Sequence, residues 1–179
     1  PRFAAMDRYR QVFNNNHVAI FENKRVLPRA FVVPASGIEI LENTPAEFER
    51  VKSPSFDPER SVILSEIPSP QTLRVETAAM PFSSHVEMID LQINQLSLRT
   101  TTSTAAALVL SQIWFPGWRA TIDGEEVPVL RANASLSGVL LPAGSHEVRF
   151  TFRPLSFVIG AFVTILTAGL LVALIITRA

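Results

Sequence analysis

Three histidines, a cluster of acids, two tryptophans and an arginine–asparagine pair are the side chains that could do chemistry in this 179-residue chain. His17, His85 and His146 are far apart in sequence, so a metal site would need the fold to bring them together. Asp123, Glu125 and Glu126 are close, and paired carboxylates work as general acid and base when their pKa values are split. Asp123-Gly124 followed by two glutamates reads more simply as a solvated hairpin turn. Trp114 and Trp118 flank Phe115-Pro116-Gly117, and if exposed they could stack on a sugar ring or dock on a partner. The favoured reading makes both core anchors at a sheet edge, because Trp118, Ala120 and Ile122 share one strand face. Arg131 and Asn133 could contact an anion, a sugar or a partner carboxylate; the plainer role is to satisfy backbone groups in a loop. Asn133-Ala134-Ser135 matches a glycosylation sequon, a pattern frequent by chance. The Ser/Thr-rich stretch Leu98–Thr104 contains no GxSxG or SxxK motif, and no glycine-rich phosphate loop occurs. No catalytic, metal-ligating or cofactor-binding set is therefore expected, and no cofactor.

Composition sets the frame for these residues. Sixteen basic and sixteen acidic residues cancel, which argues against a nucleic-acid partner, since phosphate contacts need surplus Lys and Arg. The chain has no cysteine, so disulfides, thiolate metal sites and a Cys nucleophile are excluded. Its length suits one main domain with small extras.

The dominant feature is the C-terminal stretch Leu155–Thr177, 23 residues without a charge. As a helix it would extend about 34 Å, slightly more than the roughly 30 Å hydrocarbon core of a bilayer. Fourteen of its residues are Leu, Ile, Val or Phe. At about −0.3 to −0.6 kcal/mol each they favour insertion by roughly 4–8 kcal/mol. A transmembrane helix is expected rather than a buried core helix, which would show a polar face. Gly160, Thr164 and Ala168 recur every fourth residue, as do Gly169 and Ala173, so one side of the helix could admit another helix closely. No ionisable residue lies inside the span, which argues against a proton relay or ion path within it. Arg149 and Arg153 precede the span and Arg178 follows it, a two-to-one bias that would place the main domain in the cytoplasm. The chain starts at Pro1 rather than Met, so an upstream segment is expected, and a cleaved signal or preceding membrane helices would put the domain outside.

The rest reads as mainly β: an antiparallel β-sandwich with one or two short helices. The spacing of Phe3, Met6, Tyr9 and Phe13 predicts a short helix over Arg2–Phe13. His17–Glu22 and Ala30–Val33 read as strands. A helix is expected over Thr44–Val51, with Thr44 as N-cap, Pro45 at the first helical position and Glu47 closing a capping box. Ser61–Glu66, Thr72–Thr77, His85–Ile93, Gln95–Thr102, Ala106–Ile113, Trp118–Asp123, Glu126–Leu130, Leu136–Leu141 and His146–Phe152 follow as strands. The expected organisation is an α/β lead-in over residues 1–70 packed on the sandwich, the sandwich over 71–154, and the membrane helix over 155–177.

Several short motifs recur in an order that resembles the YfhO-type bacterial membrane protein family. They are Phe115-Pro116-Gly117-Trp118 with Arg119-Ala120, Asp123-Gly124, Pro128 to Leu130 with Arg131-Ala132-Asn133, Pro142-Ala143-Gly144 with His146, and Arg153-Pro154. Upstream, Phe21-Glu22-Asn23, Leu27-Pro28-Arg29-Ala30-Phe31 and Phe56-Asp57-Pro58 fit the same order. The run Ala134–Gly138 departs from the family pattern, which has a glycine directly after the asparagine. The resemblance implies a polytopic protein of GT-C glycosyltransferase architecture. In it a catalytic helical part precedes an extracytoplasmic β-rich domain and a last membrane helix. Three functions are weighed on this basis. Taken as a whole chain, the sequence ranks first as a non-catalytic, single-pass structural subunit of a larger bacterial membrane complex, such as an energy-transducing (respiratory or photosynthetic) one. The alternatives are the C-terminal module of a GT-C glycosyltransferase acting on lipid-linked sugars, and a carbohydrate-binding module. The expected location is the bacterial cytoplasmic membrane with the bulk of the chain outside. The expected partners are the lipid bilayer and other membrane subunits, with a sugar or polysaccharide a lesser expectation.

Overall fold

A computed structural model describes residues 7–15, 17–66 and 81–178. Strands β1 (Tyr9–Asn14) and β2 (Ala19–Asn23) form a separate antiparallel hairpin. Two larger sheets make the sandwich. One has five strands in the order β10-β9-β13-β7-β6: β6 is Ser84–Gln92, β7 Gln95–Thr102, β9 Trp118–Ile122, β10 Glu125–Val127 and β13 Gly144–Phe152. The other has six, in the order β3-β8-β12-β11-β5-β4. Here β3 is Ala30–Pro34, β4 Ile38–Ile40, β5 Val62–Leu64, β8 Ala106–Ile113, β11 Leu130–Ala132 and β12 Leu136–Leu141. Every pairing is antiparallel except β4 with β5. Three strands drawn from residues 1–70 are thus members of the six-stranded sheet. Two helices complete the fold, α1 (Thr44–Lys52) and α2 (Leu155–Arg178).

The alternation of β13 explains its place. Val148 and Phe150 are fully buried between the sheets, while Glu147 and Arg149 face solvent. They meet Leu96, Leu98, Ala120 and Ile122 of their own sheet and Leu108, Leu110, Val139 and Leu141 of the other. Burying one face of each sheet in this way is the main stabilising term of a sandwich. Strand β8 reads differently: Ala106 through Leu110 is a continuous apolar run, buried on both faces. Its outward residues Ala107 and Val109 join Val33, Val62, Leu64, Leu130 and Ala132 in a second apolar cluster.

Four expectations are revised by the structure. The segment expected as an Arg2–Phe13 helix forms strand β1 over Tyr9–Asn14, while Phe3 and Met6 lie outside the described residues. Pairing with β2, including a 2.7 Å Arg10–Glu22 ion pair across the strands, outweighs the local helical spacing. The single strand expected over Glu126–Leu130 is two, because Pro128 cannot donate to a ladder and the chain there passes from one sheet to the other. Helix α1 starts one residue earlier in its capping frame: Asn43 is the extended N-cap, and Thr44 and Pro45 are the first helical residues. The Glu47 carboxylate does not close a capping box; it is spent elsewhere. The expected strand Thr72–Thr77 lies outside the described residues.

The β11–β12 hairpin carries a local strain. Ser135 N–H donates to Ala132 O, and the two turn residues Asn133 and Ala134 have φ of 48° and 67°. Both are left-handed, in a three-residue loop that joins the paired Ala132 and Leu136. Asn tolerates this conformation, but Ala has no such compensation and is disfavoured by about 1–2 kcal/mol. Ala134→Gly is expected to raise stability by about 0.5–1 kcal/mol, since relief of strain exceeds the added freedom of the unfolded chain. A denaturant titration that shows no upward shift in midpoint would refute this.

Candidate functional site

The side chains singled out by chemistry fall into three places. The first lies where α1 covers the sheet. Arg131 shares a register row with Ser137 and Leu110, so it points to the inner side of the six-stranded sheet. There its Nη2 donates to Glu47 Oε1 at 2.9 Å and to Thr44 Oγ1 at 3.0 Å. Glu47 is fully buried, whereas 28% of the Arg131 side chain remains exposed. A second pair fixes the same helix: Arg50 binds Glu39 of β4 through two bonds of 2.8 and 2.7 Å. That contact pushes the Arg50 guanidinium above its ordinary pKa, chiefly through the hydrogen bonds to Glu39. Asn133 is also structural. Its Oδ1 accepts from Ile63 N–H at 2.9 Å, and its own N–H donates to Ile63 O at 2.8 Å. The polar atoms of Arg131 and Asn133 are thus largely turned inward, tying β11 to α1 and β5.

The second place is the end of the sandwich far from α2. Asp123-Gly124 is the two-residue β9–β10 turn, with φ of 52° and 92°. The β9–β13 register brings His146 to this turn, and its Nδ1 donates to Asp123 Oδ2 at 2.6 Å. Asp123 Oδ1 accepts from Glu147 N–H at 2.8 Å. The Asp123 carboxyl is held below the usual range, first by the His146 hydrogen bond and then by the Glu147 amide. An Asp-oriented His acts as a general base when its far ring nitrogen faces a substrate. Here His146 Nε2 faces Ala143 O at 3.3 Å, so both nitrogens are occupied in bracing two turns. Glu125 lines the same groove, of about 440 Å³, with Val127, Leu140 and Pro142. Glu126 instead lies 3.6 Å from Arg119. His17 is in the β1–β2 turn and His85 in β6. Among the described residues no group of three His, Asp or Glu side chains could hold a metal.

The third place is the junction with α2. Trp114 is half-buried and its Nε1 donates to Val129 O at 3.0 Å. Trp118 packs on Phe152 with ring centroids 5.1 Å apart, and Phe115 on the same ring at 6.2 Å. Gly117, at φ 120°, accepts the Arg153 N–H at 2.7 Å. A Cβ on Gly117 would come within 2.8 Å of Pro154 Cα, so only glycine allows this approach. Beyond Pro154, α2 presents Leu155–Thr177 as one apolar stretch, mean hydropathy 2.6 and none of it buried. By length and composition it can cross a membrane. Gly160, Thr164 and Ala168 follow one another at successive turns, and Thr164 Oγ1 donates to Gly160 O at 2.8 Å. Neither Gly160 nor Gly169 has a neighbour within 4 Å of an added Cβ, and Ala173 is likewise exposed.

Sequence reasoning marked Arg131, Asp123 and His146 singly and missed their partners. The Glu47 link spans 84 positions and the Asp123–His146 link 23, and both depend on strand register. Neither a curated protein nor a solved structure matches the chain. A family model described as bacterial membrane protein YfhO matches residues 72–164, that is 93 of 179 residues. The match covers the five-stranded sheet, the Phe115–Trp118 turn, the Asp123 and Asn133 turns and the first turns of α2. The chain belongs to the YfhO family of bacterial membrane proteins.

Proposed function

We propose that this chain is a membrane-anchored structural module of a YfhO-type assembly. Helix α2 crosses the bacterial cytoplasmic membrane once, and the sandwich stands on the extracytoplasmic side. The assembly is of GT-C glycosyltransferase type and acts on lipid-linked sugars, with catalysis in a separate helical part. The observation that carries this reading is the continuity of the family match, which runs from the sandwich through Arg153-Pro154 into α2 as far as Thr164. That the matched strands and the first turns of α2 fall in one family match supports reading them as one unit rather than a domain with an incidental tail. The side chains that could do chemistry point the same way, because Arg131, Asp123 and His146 each serve the fold. The exposed small-residue side of α2, with Gly160, Thr164 and Ala168, offers a seat for a neighbouring helix.

Native mass spectrometry of the species extracted in mild detergent tests this. The expected result is a polytopic helical part, found either in the same polypeptide or at fixed stoichiometry with it. The first form identifies the module as the tail of the enzyme, the second as a separate subunit. A species containing nothing but a chain of about the 19.7 kDa of this sequence would refute both.

A further inference from the structure

Three turns converge where the chain enters α2. The β6–β7 turn reaches it through Phe152 N–H, which donates to Asn94 O at 2.9 Å. The Phe115–Trp118 turn reaches it through Gly117 O and Arg153 N–H. The third is the Arg153-Pro154 link itself. Apolar side chains stand out from this rim: Ile93 at the β6–β7 tip is 96% exposed, and Phe115 is 54% exposed. The groove between the Phe115 turn and α2, about 410 Å³, is lined by Arg119, Arg153 and Leu155 and by no carboxylate. The groove beside Ile93, about 500 Å³, also has Arg153 and no carboxylate. The Arg153 side chain has no ion-pair partner among the described residues.

We infer that this rim is a lipid-binding foot, seated in the headgroup layer of the bilayer that α2 crosses. The inference rests on α2 being a membrane helix and on the geometry of its start. The apolar stretch of 23 residues exceeds the hydrocarbon core by only about 4 Å, so Leu155 cannot stand far above it. Two residues join α2 to β13, and they are held against the rim, because Arg153 N–H is bonded to Gly117 O at 2.7 Å and Pro154 packs on Gly117. The headgroup layer is itself about 5–8 Å deep on each side. A rim packed on Pro154, one residue before the apolar stretch, therefore lies within that layer. Ile93 and Phe115 then meet the boundary of the acyl chains, Trp114 and Trp118 lie at the level where aromatic belts form, and Arg153, unlike the Glu126-paired Arg119, is left to face lipid phosphates.

The absence of native cysteine allows a direct test with single labels. Ile93→Cys, Glu125→Cys and Ile165→Cys would each carry an environment-sensitive fluorophore on the full chain in phosphatidylcholine vesicles. Bromines placed high on the acyl chains should quench the Ile93 label by more than half and leave the Glu125 label, at the far turn, unchanged. Deep bromines should quench the Ile165 label. Quenching at Ile165 with none at Ile93 overturns the foot and leaves the membrane helix standing. No quenching at Ile165 overturns the membrane reading, and the foot with it. With phosphatidylglycerol added, R153Q should weaken the Ile93 quenching; unchanged quenching overturns the Arg153 contact. Ile93 is almost fully exposed, so its replacement does not disturb the core.

Discussion

Arg131→Ala is expected to destabilise the sandwich by about 3–5 kcal/mol, the usual loss when one member of a buried ion pair is removed. For a domain of this size that corresponds to a fall in Tm on the order of 10 °C. The reason is the asymmetry of the pair. Glu47 is fully buried and Arg131 is its only ion-pair partner among the described residues. Its Oε2 has no hydrogen bond, nor do the buried Arg131 Nε and Ser137 Oγ beside it. Without the guanidinium, the carboxylate would have to remain charged in an apolar setting or take up a proton, and both are costly. Arg131→Lys should recover only part of the loss: both bonds come from the one nitrogen Nη2, which an ammonium can imitate, but the ammonium is more strongly hydrated and costs more to bury than the guanidinium. Replacing both residues, Glu47→Leu with Arg131→Met, should be much milder than either single truncation. Thermal melts of the detergent-solubilised chain decide it. If the double replacement is as damaging as Arg131→Ala, packing rather than stranded charge explains the loss.

Gly117→Ala is the second large effect, and it acts at the other end of the molecule. The backbone at φ 120° costs a side-chain-bearing residue about 1–3 kcal/mol. The added Cβ also meets Pro154 Cα at 2.8 Å, against backbone that cannot rotate away, and such overpacking costs a further 1–3 kcal/mol or so. The turn and the start of α2 should therefore separate, breaking the 2.7 Å bond from Arg153 N–H to Gly117 O. Gly124→Ala is the matched control, with φ 92° and nothing within 4 Å of its Cβ. It should show the backbone cost alone. Hydrogen exchange on the Arg153 amide reads the difference. Faster exchange in Gly117→Ala than in Gly124→Ala is expected, and equal rates would mean that the junction does not depend on this contact.

These two sites also mark what the sequence could and could not disclose. Strands β7, β8 and β12 have the bounds read from the sequence, because alternation and flanking turn residues are local signals. The apolar helix α2, long enough to cross a membrane, was legible for the same reason: twenty-three uncharged residues need no tertiary context. Gly117 stood inside a recognisable motif, yet its contact with Pro154 is a matter of three dimensions. Glu47 had a local explanation as a capping residue, and that explanation was mistaken because a guanidinium 84 positions away competes for the carboxylate. The strand at Tyr9–Asn14 was hidden by apolar residues at helical spacing. The division at Pro128 could have been foreseen, since a proline inside an expected strand already argues against one unbroken ladder.

The position of β13 has a consequence for how the chain folds as it is made. It is the last strand, and it pairs with β7 on one side and β9 on the other, so the five-stranded sheet cannot be completed before residue 152 exists. The other sheet waits nearly as long, since Ala30 finds Leu110 and Leu64 finds Ala132. Pairings so distant along the chain fold slowly, because loop closure precedes any gain from contact. Helix α2 follows two residues later. The sandwich therefore cannot close before the chain has reached α2, and until it does the apolar strands β8 and β12 stay exposed to aggregation.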